Sequence, residues 1–318
     1  MRGAVIATFP REIIDESGDE ATSFQLPSLR SAFLMQDDVY LTLGVTKSFS
    51  LYVDYGVGSG SLEAFALKQL GDSGGYVKVG QFVPAYGLKL PNHRTYIREE
   101  GLGIEPNLRE AGVEVRITPG KLNAYLSVIN GTALTGGLNP DWKPAVTGRA
   151  DVNLSPGPAM LTFGASGWYE PGGAVETENY QEFDRRTLDL RAGPYLMLSA
   201  GKFTVLAEAD YRRTSDNAAE TLTTSYVTYT ELDFAPRQGL DLQLFYEAWD
   251  PEITLTPNLM HRAGAGFELF PSGFSEIRVL YRHTFVPGAE EAAKDSRTLL
   301  SAANQDMDEV VLFAHFFL

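Results

Sequence analysis

The four histidines carry the side chain most often used for catalysis and metal binding in proteins. They are His93, His261, His283 and His315, and no two of them have the spacing of a helical zinc site such as H-E-x-x-H. The chain also has no cysteine, which a Cys-based zinc site or covalent haem attachment would require. We therefore expect no metal site, no cofactor and no enzymatic activity.

Charged side chains are the other groups that could contact a solute, and many of them occupy alternate positions. In an extended strand, alternate residues point to opposite faces. Residues 240–248 place Leu242 and Leu244 on one face and Asp241 and Glu247 on the other. With 41 acidic and 26 basic residues, the chain has a net charge of −15, which argues against nucleic-acid binding. The charges therefore indicate one polar and one apolar face.

Short and long connections alternate between the segments that have this period of two. Turn signals such as Pro119-Gly120 alternate along the chain with long polar segments such as residues 85–110. This order predicts antiparallel hairpins with all the long loops at one end. Sixteen strands are predicted, and an even number lets the first pair antiparallel with the last. They are residues 2–9, 30–45, 49–56, 61–69, 76–84, 111–118, 121–129, 145–154, 160–169, 186–198, 202–212, 222–235, 239–248, 258–269, 274–285 and 307–318.

Strand length distinguishes a membrane barrel from a soluble sandwich. Strands in soluble sheets average about five or six residues, whereas about nine to eleven residues cross a bilayer at a tilt, as many of the predicted strands would. Tyr55, Tyr169 and Tyr211 lie near strand ends on apolar faces, as in the aromatic girdles of membrane barrels. The sequence predicts an all-β fold in one domain, residues 1–318. We expect a closed antiparallel transmembrane β-barrel of about 16 strands, with short periplasmic turns and long extracellular loops.

No segment of the sequence has the features of a helical membrane anchor or of a signal peptide. An anchor needs roughly 18 consecutive apolar residues, and a signal peptide needs an apolar core followed by a small-residue cleavage site. We therefore expect a mature or truncated chain.

A closed barrel would place the polar face of each strand on a water-filled lumen. A soluble core could not hold so many charges, because desolvating them would cost too much free energy. The predicted inward face has thirteen acidic and eight basic residues, a net charge of −5. The acidic residues are Asp54, Glu114, Asp151, Asp189, Glu208, Asp210, Glu231, Asp233, Asp241, Glu247, Glu268, Glu276 and Glu309; the basic residues are Lys78, Arg116, Arg149, Arg191, Arg212, Arg262, Arg278 and Arg282.

The end of the chain is an alternating row of mainly apolar residues. Val310, Leu312, Ala314 and Phe316 share one face of the predicted last strand, together with Asp308 and Leu318 at its ends. This segment resembles the terminal strand of Gram-negative outer-membrane barrels, although such strands usually end in Phe rather than Leu. The resemblance implies that the protein lies in the lipid of a bacterial outer membrane.

A second resemblance involves the segment that leads into the longest early connection. Residues 79–88 read VGQFVPAYGL, which resembles the GQF-x-P-x-(F/Y)-G-L strand-to-loop segment of phosphate-selective-type porins. Residues 92–99 are similar to the porin components of porin–cytochrome conduits from metal-reducing bacteria. Phosphate-type porins use rows of Arg and Lys for anion selectivity. Because the predicted inward face of this barrel has a net negative charge, we do not expect phosphate selectivity here.

The connection at residues 85–110 combines both signs of charge. In general porins, an inward-folded loop at this place forms the constriction, where charges set selectivity, so the resemblance implies the same role here. The alternative is a solvated surface loop with ordinary ion pairs. The candidate constriction residues are Arg94, Arg98, Glu99, Glu100, Glu105, Arg109 and Glu110.

Two functions fit a barrel of this size, because sixteen strands leave an aqueous channel. The protein is either a porin for passive diffusion of ions or small polar solutes, with a homotrimer as one form of assembly, or a sheath around a multihaem cytochrome in an electron conduit. For the porin, the acidic wall predicts a weak preference for cations.

Overall fold

The computed structural model of the chain consists of β-strands joined by turns and loops. It describes residues 2–10, 30–36, 38–56, 61–90, 95–98, 108–131, 143–172, 186–216, 221–255, 259–285 and 307–316. Within these ranges, no helix is long and apolar enough to cross a membrane. The strands are β1 (Arg2–Pro10), β2 (Arg30–Gln36), β3 (Asp38–Thr46), β4 (Phe49–Gly56), β5 (Leu62–Leu70), β6 (Gly75–Phe82), β7 (Glu110–Ile117), β8 (Leu122–Ile129), β9 (Ala145–Leu154), β10 (Ala159–Pro171), β11 (Arg186–Ala200), β12 (Phe203–Asp216), β13 (Thr221–Arg237), β14 (Leu240–Asp250), β15 (Met260–Ser272), β16 (Ser275–Phe285) and β17 (Met307–Phe316).

All strands belong to one antiparallel sheet. From β3 to β17, each strand pairs with the next strand of the chain, and β1 pairs with both β17 and β2. Only residue 37 separates β2 from β3; β2 pairs with β1, whereas β3 pairs with β4. These two segments therefore act together as one strand that closes the barrel. The predicted strand 30–45 is thus divided into β2 and β3. Counted in this way, the described residues form a closed barrel of sixteen strands, as predicted.

The connections at one rim are short turns. Residues 118–121, which include Pro119 and Gly120, link β7 to β8, and Gly201 and Lys202 link β11 to β12. Gly120 has a φ of 65°, a left-handed conformation that glycine adopts without steric cost. At the other rim, β6 and β7 are joined by residues 83–109 and β16 and β17 by residues 286–306. The predicted alternation of short turns and long loops is therefore confirmed.

The two faces of strands such as β14 and β16 differ as a strand period of two requires. On β14, Leu242 and Leu244 are exposed while Gln243 and Glu247 are buried; Leu244 has 57% of its surface exposed. On β16, Arg278 and Arg282 are buried, and Tyr281 between them is exposed. Apolar side chains therefore cover the outside of the barrel, and the polar side chains lie within it. This is the arrangement of a transmembrane barrel, in which lipid covers the outer surface.

Candidate pore constriction

The connection after β6 turns into the barrel rather than away from it. At its start, the backbone N–H of Val83 lies 3.4 Å from a carboxylate oxygen of Glu63 on β5, and the N–H of Ala85 donates to Glu114 on β7 at 3.2 Å. Both acceptors lie on the inner face beside β6. The chain is thus directed inward as soon as the strand ends.

The same connection then crosses to the part of the wall formed by β10 and β12. The Tyr86 hydroxyl donates to Asp210 at 2.8 Å, and the Leu88 N–H donates to Glu208 at 2.7 Å, both on β12. The Gly87 N–H donates to Ser166 Oγ on β10 at 2.8 Å. Three consecutive residues are therefore fixed to strands four and six positions away in the sheet order.

Residues 95–98 continue the path to the opposite side. The Tyr96 N–H donates to Glu247 on β14, which lies halfway round the sheet from β6. The Arg262 guanidinium lies 3.7 Å from the Tyr96 ring centre, a cation–π contact, and Trp249 packs beside the ring at 5.7 Å. Segments 83–90 and 95–98, here called the inner loop, therefore cross the interior.

Arg98 connects the two parts of the inner loop to the wall. Its guanidinium donates to Glu208 at 2.8 Å and to the carbonyl oxygen of Leu88. Both side chains of the Arg98–Glu208 ion pair are almost completely buried. A buried charge is tolerated only with a partner of opposite sign, so each of these residues requires the other.

Gly87 allows the loop to approach β12 this closely. It has a φ of 49°, and a Cβ built at this position would lie 1.8 Å from Glu208 Oε1 and 2.8 Å from an Arg98 nitrogen. No other residue fits both the backbone conformation and the space. The glycine of the GQF-x-P-x-(F/Y)-G-L segment thus has a defined physical role.

Two tyrosines of the inner loop are buried as neutral groups. Burial, reinforced by the nearby Asp210 carboxylate, raises the pKa of Tyr86 above its usual range. Burial also raises the pKa of Tyr96, although the Arg262 guanidinium opposes that effect. Both phenols therefore stay protonated at neutral pH, and Tyr86 remains a hydrogen-bond donor to Asp210.

The inner loop packs against apolar side chains that point inward from the wall. Trp168, Phe245, Leu280 and Phe313 lie on the same strand faces as the buried charges. They form one cluster with the loop residues Tyr86, Leu88, Leu90, Tyr96 and Ile97. The period of two assigned the whole inner face to polar residues, so sequence reasoning missed this cluster. The inner loop is therefore held by apolar packing as well as by hydrogen bonds.

Three of the predicted constriction residues lie within the described ranges. Arg98 is in the inner loop, as described above. Glu110 begins β7, is buried, and accepts a hydrogen bond from the Gly131 N–H at 3.1 Å, whereas Arg109 beside it is half-buried. The structure does not bring Glu110 to the Arg98 ion pair. The other four candidates, Arg94, Glu99, Glu100 and Glu105, lie outside the described residues.

Most of the predicted lumen charges are buried in ion pairs. Asp189 binds both Arg191 at 2.8 Å and Arg212 at 2.9 Å, and Arg278 binds Glu268 at 2.7 Å. Asp241 is half-buried. Further ion pairs along the described part of the inner face include Lys78–Glu114 at 2.7 Å, Arg149–Asp151 at 3.4 Å, Arg262–Glu247 at 3.8 Å, Arg278–Glu276 at 3.6 Å and Arg282–Glu309 at 2.5 Å.

Several interior residues were not among the sequence candidates. Glu63 and Ser166 accept hydrogen bonds from the inner loop, and Glu170 accepts one from the Trp168 indole at 3.1 Å. Glu63 and Glu170 share the strand faces of the predicted lumen charges, so the same period of two could have identified them. The contacts of Tyr86 and Tyr96 carry no such signal in the sequence.

No protein-family model and no curated protein sequence matches the chain, but solved structures do. OmpT of Vibrio cholerae in a trimer form is 8% identical with a TM-score of 0.64, and the match covers 99% of this chain and 97% of that one. An anion-selective porin from Comamonas acidovorans is 13% identical (TM-score 0.60; 99% and 98% covered), and the channel DcaP of Acinetobacter baumannii is 14% identical (TM-score 0.60; 99% and 94% covered). The chain therefore has the fold of a closed antiparallel transmembrane β-barrel, shared with outer-membrane porins.

Proposed function

We propose that the protein is an outer-membrane channel through which ions or small polar solutes diffuse passively. The observation that supports this proposal is the path of the inner loop across the barrel, between Glu63 on one side and Glu247 on the other. A loop held inside a barrel narrows its passage and puts fixed charges beside it, which is how porins sort solutes.

The outer surface supports a place in the bacterial outer membrane. Phe163, Leu126 and Leu244 are more than half exposed on outward strand faces. Water would penalise such a continuous apolar belt, whereas hydrocarbon solvates it. Closure of the sheet also gives the strands hydrogen-bonded neighbours on both sides, as the bilayer requires.

The inner loop also bears on the choice between a channel and a cytochrome sheath. A cytochrome in the lumen would have to occupy the space between β6 and β14. Tyr86, Tyr96 and Arg98 of this chain already lie there and are buried against the walls. We therefore favour the channel over the electron conduit, and we assign the interior groups to packing, loop anchoring and ion contact rather than to catalysis.

We further propose that the barrel assembles as a homotrimer. The support is the fold shared with OmpT of Vibrio cholerae, whose structure is described as a trimer form. The mass of the purified protein in mild detergent, measured by light scattering, tests this assembly. A monomer mass at all concentrations would contradict it.

Conductance in planar lipid bilayers tests the channel function. The purified protein should be colourless and should produce discrete current steps in potassium chloride. Deleting residues 91–94, which connect the two parts of the inner loop, should release that loop and increase the step size. A preparation that shows haem absorbance, or that inserts into the bilayer without conducting, would contradict the proposal.

A further inference from the structure

Four inward-facing residues on consecutive strands alternate between tyrosine and arginine. Tyr76 on β6 pairs directly with Arg116 on β7, Arg116 pairs with Tyr125 on β8, and Tyr125 pairs with Arg149 on β9. All four side chains are half-buried, so each keeps accessible surface on the inner face. These four residues are here called the Tyr–Arg row.

The rings and guanidinium groups of this row contact one another. The Arg116 guanidinium lies 5.3 Å from the ring centre of Tyr125 and 6.0 Å from that of Tyr76. Arg149 lies 5.7 Å from Tyr125 and also donates to the Tyr195 hydroxyl at 2.6 Å. Cation–π contacts of this kind hold an arginine in place without neutralising its charge.

The row extends from the short-turn rim into the barrel. Tyr76 is the second residue of β6, and Arg116 is the penultimate residue of β7, so both lie beside turns. Arg149 lies in the middle of β9. A solute that entered from the short-turn rim would meet these side chains in order.

Arg116 differs from the other lumen cations because it has no carboxylate partner among the described residues. Within the described part of the chain, Arg116 donates one hydrogen bond, to the neutral Oδ1 of Asn123 at 3.0 Å, and its Nε is buried with no hydrogen-bond partner. The nearby Glu114 carboxylate is already bound by Lys78, Tyr76 and Ser127. The guanidinium of Arg116 therefore has an uncompensated positive charge between two aromatic rings.

We propose that the Tyr–Arg row binds organic carboxylates with a planar aromatic body. The carboxylate would accept charge-assisted hydrogen bonds from the Arg116 guanidinium. The aromatic body would stack on Tyr76 or Tyr125, which offers a compact inorganic anion no comparable contact. Arg149 provides the next cationic position along the row. Binding at this site is independent of conduction, whereas its use as a transport path rests on the proposed channel function.

Calorimetric titration of the purified barrel in detergent tests the site, with benzoate as the probe. Benzamide lacks the charge, acetate lacks the ring, and inorganic phosphate has charge without a ring. Each should bind at least about tenfold more weakly than benzoate, the factor expected when one charge-assisted hydrogen bond or one aromatic contact is lost. Equal affinity for benzoate and acetate would overturn the role of the rings.

Variants separate the contributions of the row. Arg116→Gln should weaken benzoate binding about tenfold, the cost of one charge-assisted hydrogen bond. The matched control Arg212→Gln removes another half-buried lumen arginine while Asp189 keeps its bond to Arg191, and it should leave benzoate affinity unchanged. Tyr125→Leu should weaken benzoate but not acetate, and Tyr125→Phe should retain affinity. The circular dichroism spectrum of each variant verifies that the barrel is intact.

Planar-bilayer current distinguishes failure of the site from failure of the channel. Millimolar benzoate should reduce the potassium chloride current of the native protein, and much less that of Arg116→Gln. A conducting barrel that binds no benzoate, or whose Arg116→Gln variant binds it equally well, would overturn the proposed site. Benzoate binding without conductance would support the site and contradict the channel.

Discussion

At the scale of single residues, Glu208 is the point at which the contacts of the inner loop converge. It accepts hydrogen bonds from the Leu88 N–H and from Arg98, and the space beside Gly87 is occupied by its carboxylate. One residue thus combines a backbone bond, an ion pair and a steric limit. Substitutions around it should separate these three contributions.

Replacing Gly87 with alanine should loosen the inner loop. The new methyl group would overlap Glu208 and Arg98, and a left-handed φ costs an L-residue roughly 1–2 kcal/mol. We expect larger and noisier single-channel currents in planar bilayers. Gly120→Ala is the matched control, because Gly120 also has a positive φ but no atom within 4 Å of the new Cβ. Equal currents in the two variants would contradict the steric role of Gly87.

Removing only Arg98 from the Arg98–Glu208 ion pair should destabilise the inner loop more than removing both charges. Arg98→Ala leaves the Glu208 carboxylate buried without its partner, which costs about 3–5 kcal/mol in buried pairs. In Arg98→Ala combined with Glu208→Gln, no uncompensated charge remains, and the amide oxygen can still accept from Leu88. We expect added protease to cleave the single variant within the loop more readily than the double variant. If the double variant were cleaved faster still, the coupling would be wrong.

At the scale of elements, the strands and an inward-folded loop after β6 were predictable, whereas the contacts along that loop were not. Alternation along β14 predicted which face is apolar, and turn signals such as Pro119-Gly120 predicted where hairpins reverse. Both are properties of a few neighbouring residues. The Tyr86–Asp210 and Tyr96–Glu247 bonds join residues 124 and 151 positions apart, and no local pattern carries that information. For the same reason, Phe245 and Leu280 were not recognised as the wall against which the loop packs.

The direction of the β14 side chains should determine whether the barrel inserts. Leu244→Arg would place a charge on the outward apolar belt, at about 2–4 kcal/mol near the membrane midplane. Asp241→Asn changes an inward, half-buried residue and should be tolerated. The fraction of protein that assembles in lipid vesicles, read from its resistance to denaturation by detergent at room temperature, should fall sharply only for Leu244→Arg. Similar assembly of both variants would refute the orientation.

At the scale of the whole molecule, one side of the barrel has an excess of acidic over basic groups. Glu231 and Asp233 on β13, Asp241 on β14, Glu268 on β15 and Glu276 on β16 lie on the inner face toward the short turns. Of these five carboxylates, Glu268 and Glu276 share Arg278 as an ion-pair partner. This side should therefore attract cations, while the Tyr–Arg row on β6–β9 provides a separate anion contact.

We expect a weak cation preference in the reversal potential measured across a potassium chloride gradient. Because salt screens charges over about 10 Å at 0.1 M, the preference should disappear as the salt concentration rises. Asp233→Asn with Asp241→Asn should reduce it, as should neutralising Glu99, Glu100 and Glu105.

The control is Asp72→Asn, in the β5–β6 turn at the rim, which changes the net charge by one unit away from the passage. An anion preference of the native barrel, or an equal effect of Asp72→Asn, would contradict the assignment to the acidic side.

The inner loop also sets an order of events during biogenesis. It leaves the wall after β6, yet its partners Ser166, Glu208 and Glu247 follow 79 to 151 residues later in the chain. Closing such distant contacts is slow, because the intervening chain must first be arranged. The loop can therefore be seated only after β14 has joined the sheet. Until then, Glu208 and Glu247 remain exposed to water. The lumen of a partly assembled barrel is therefore wider, and its accessible surface more acidic, than the lumen of the finished barrel.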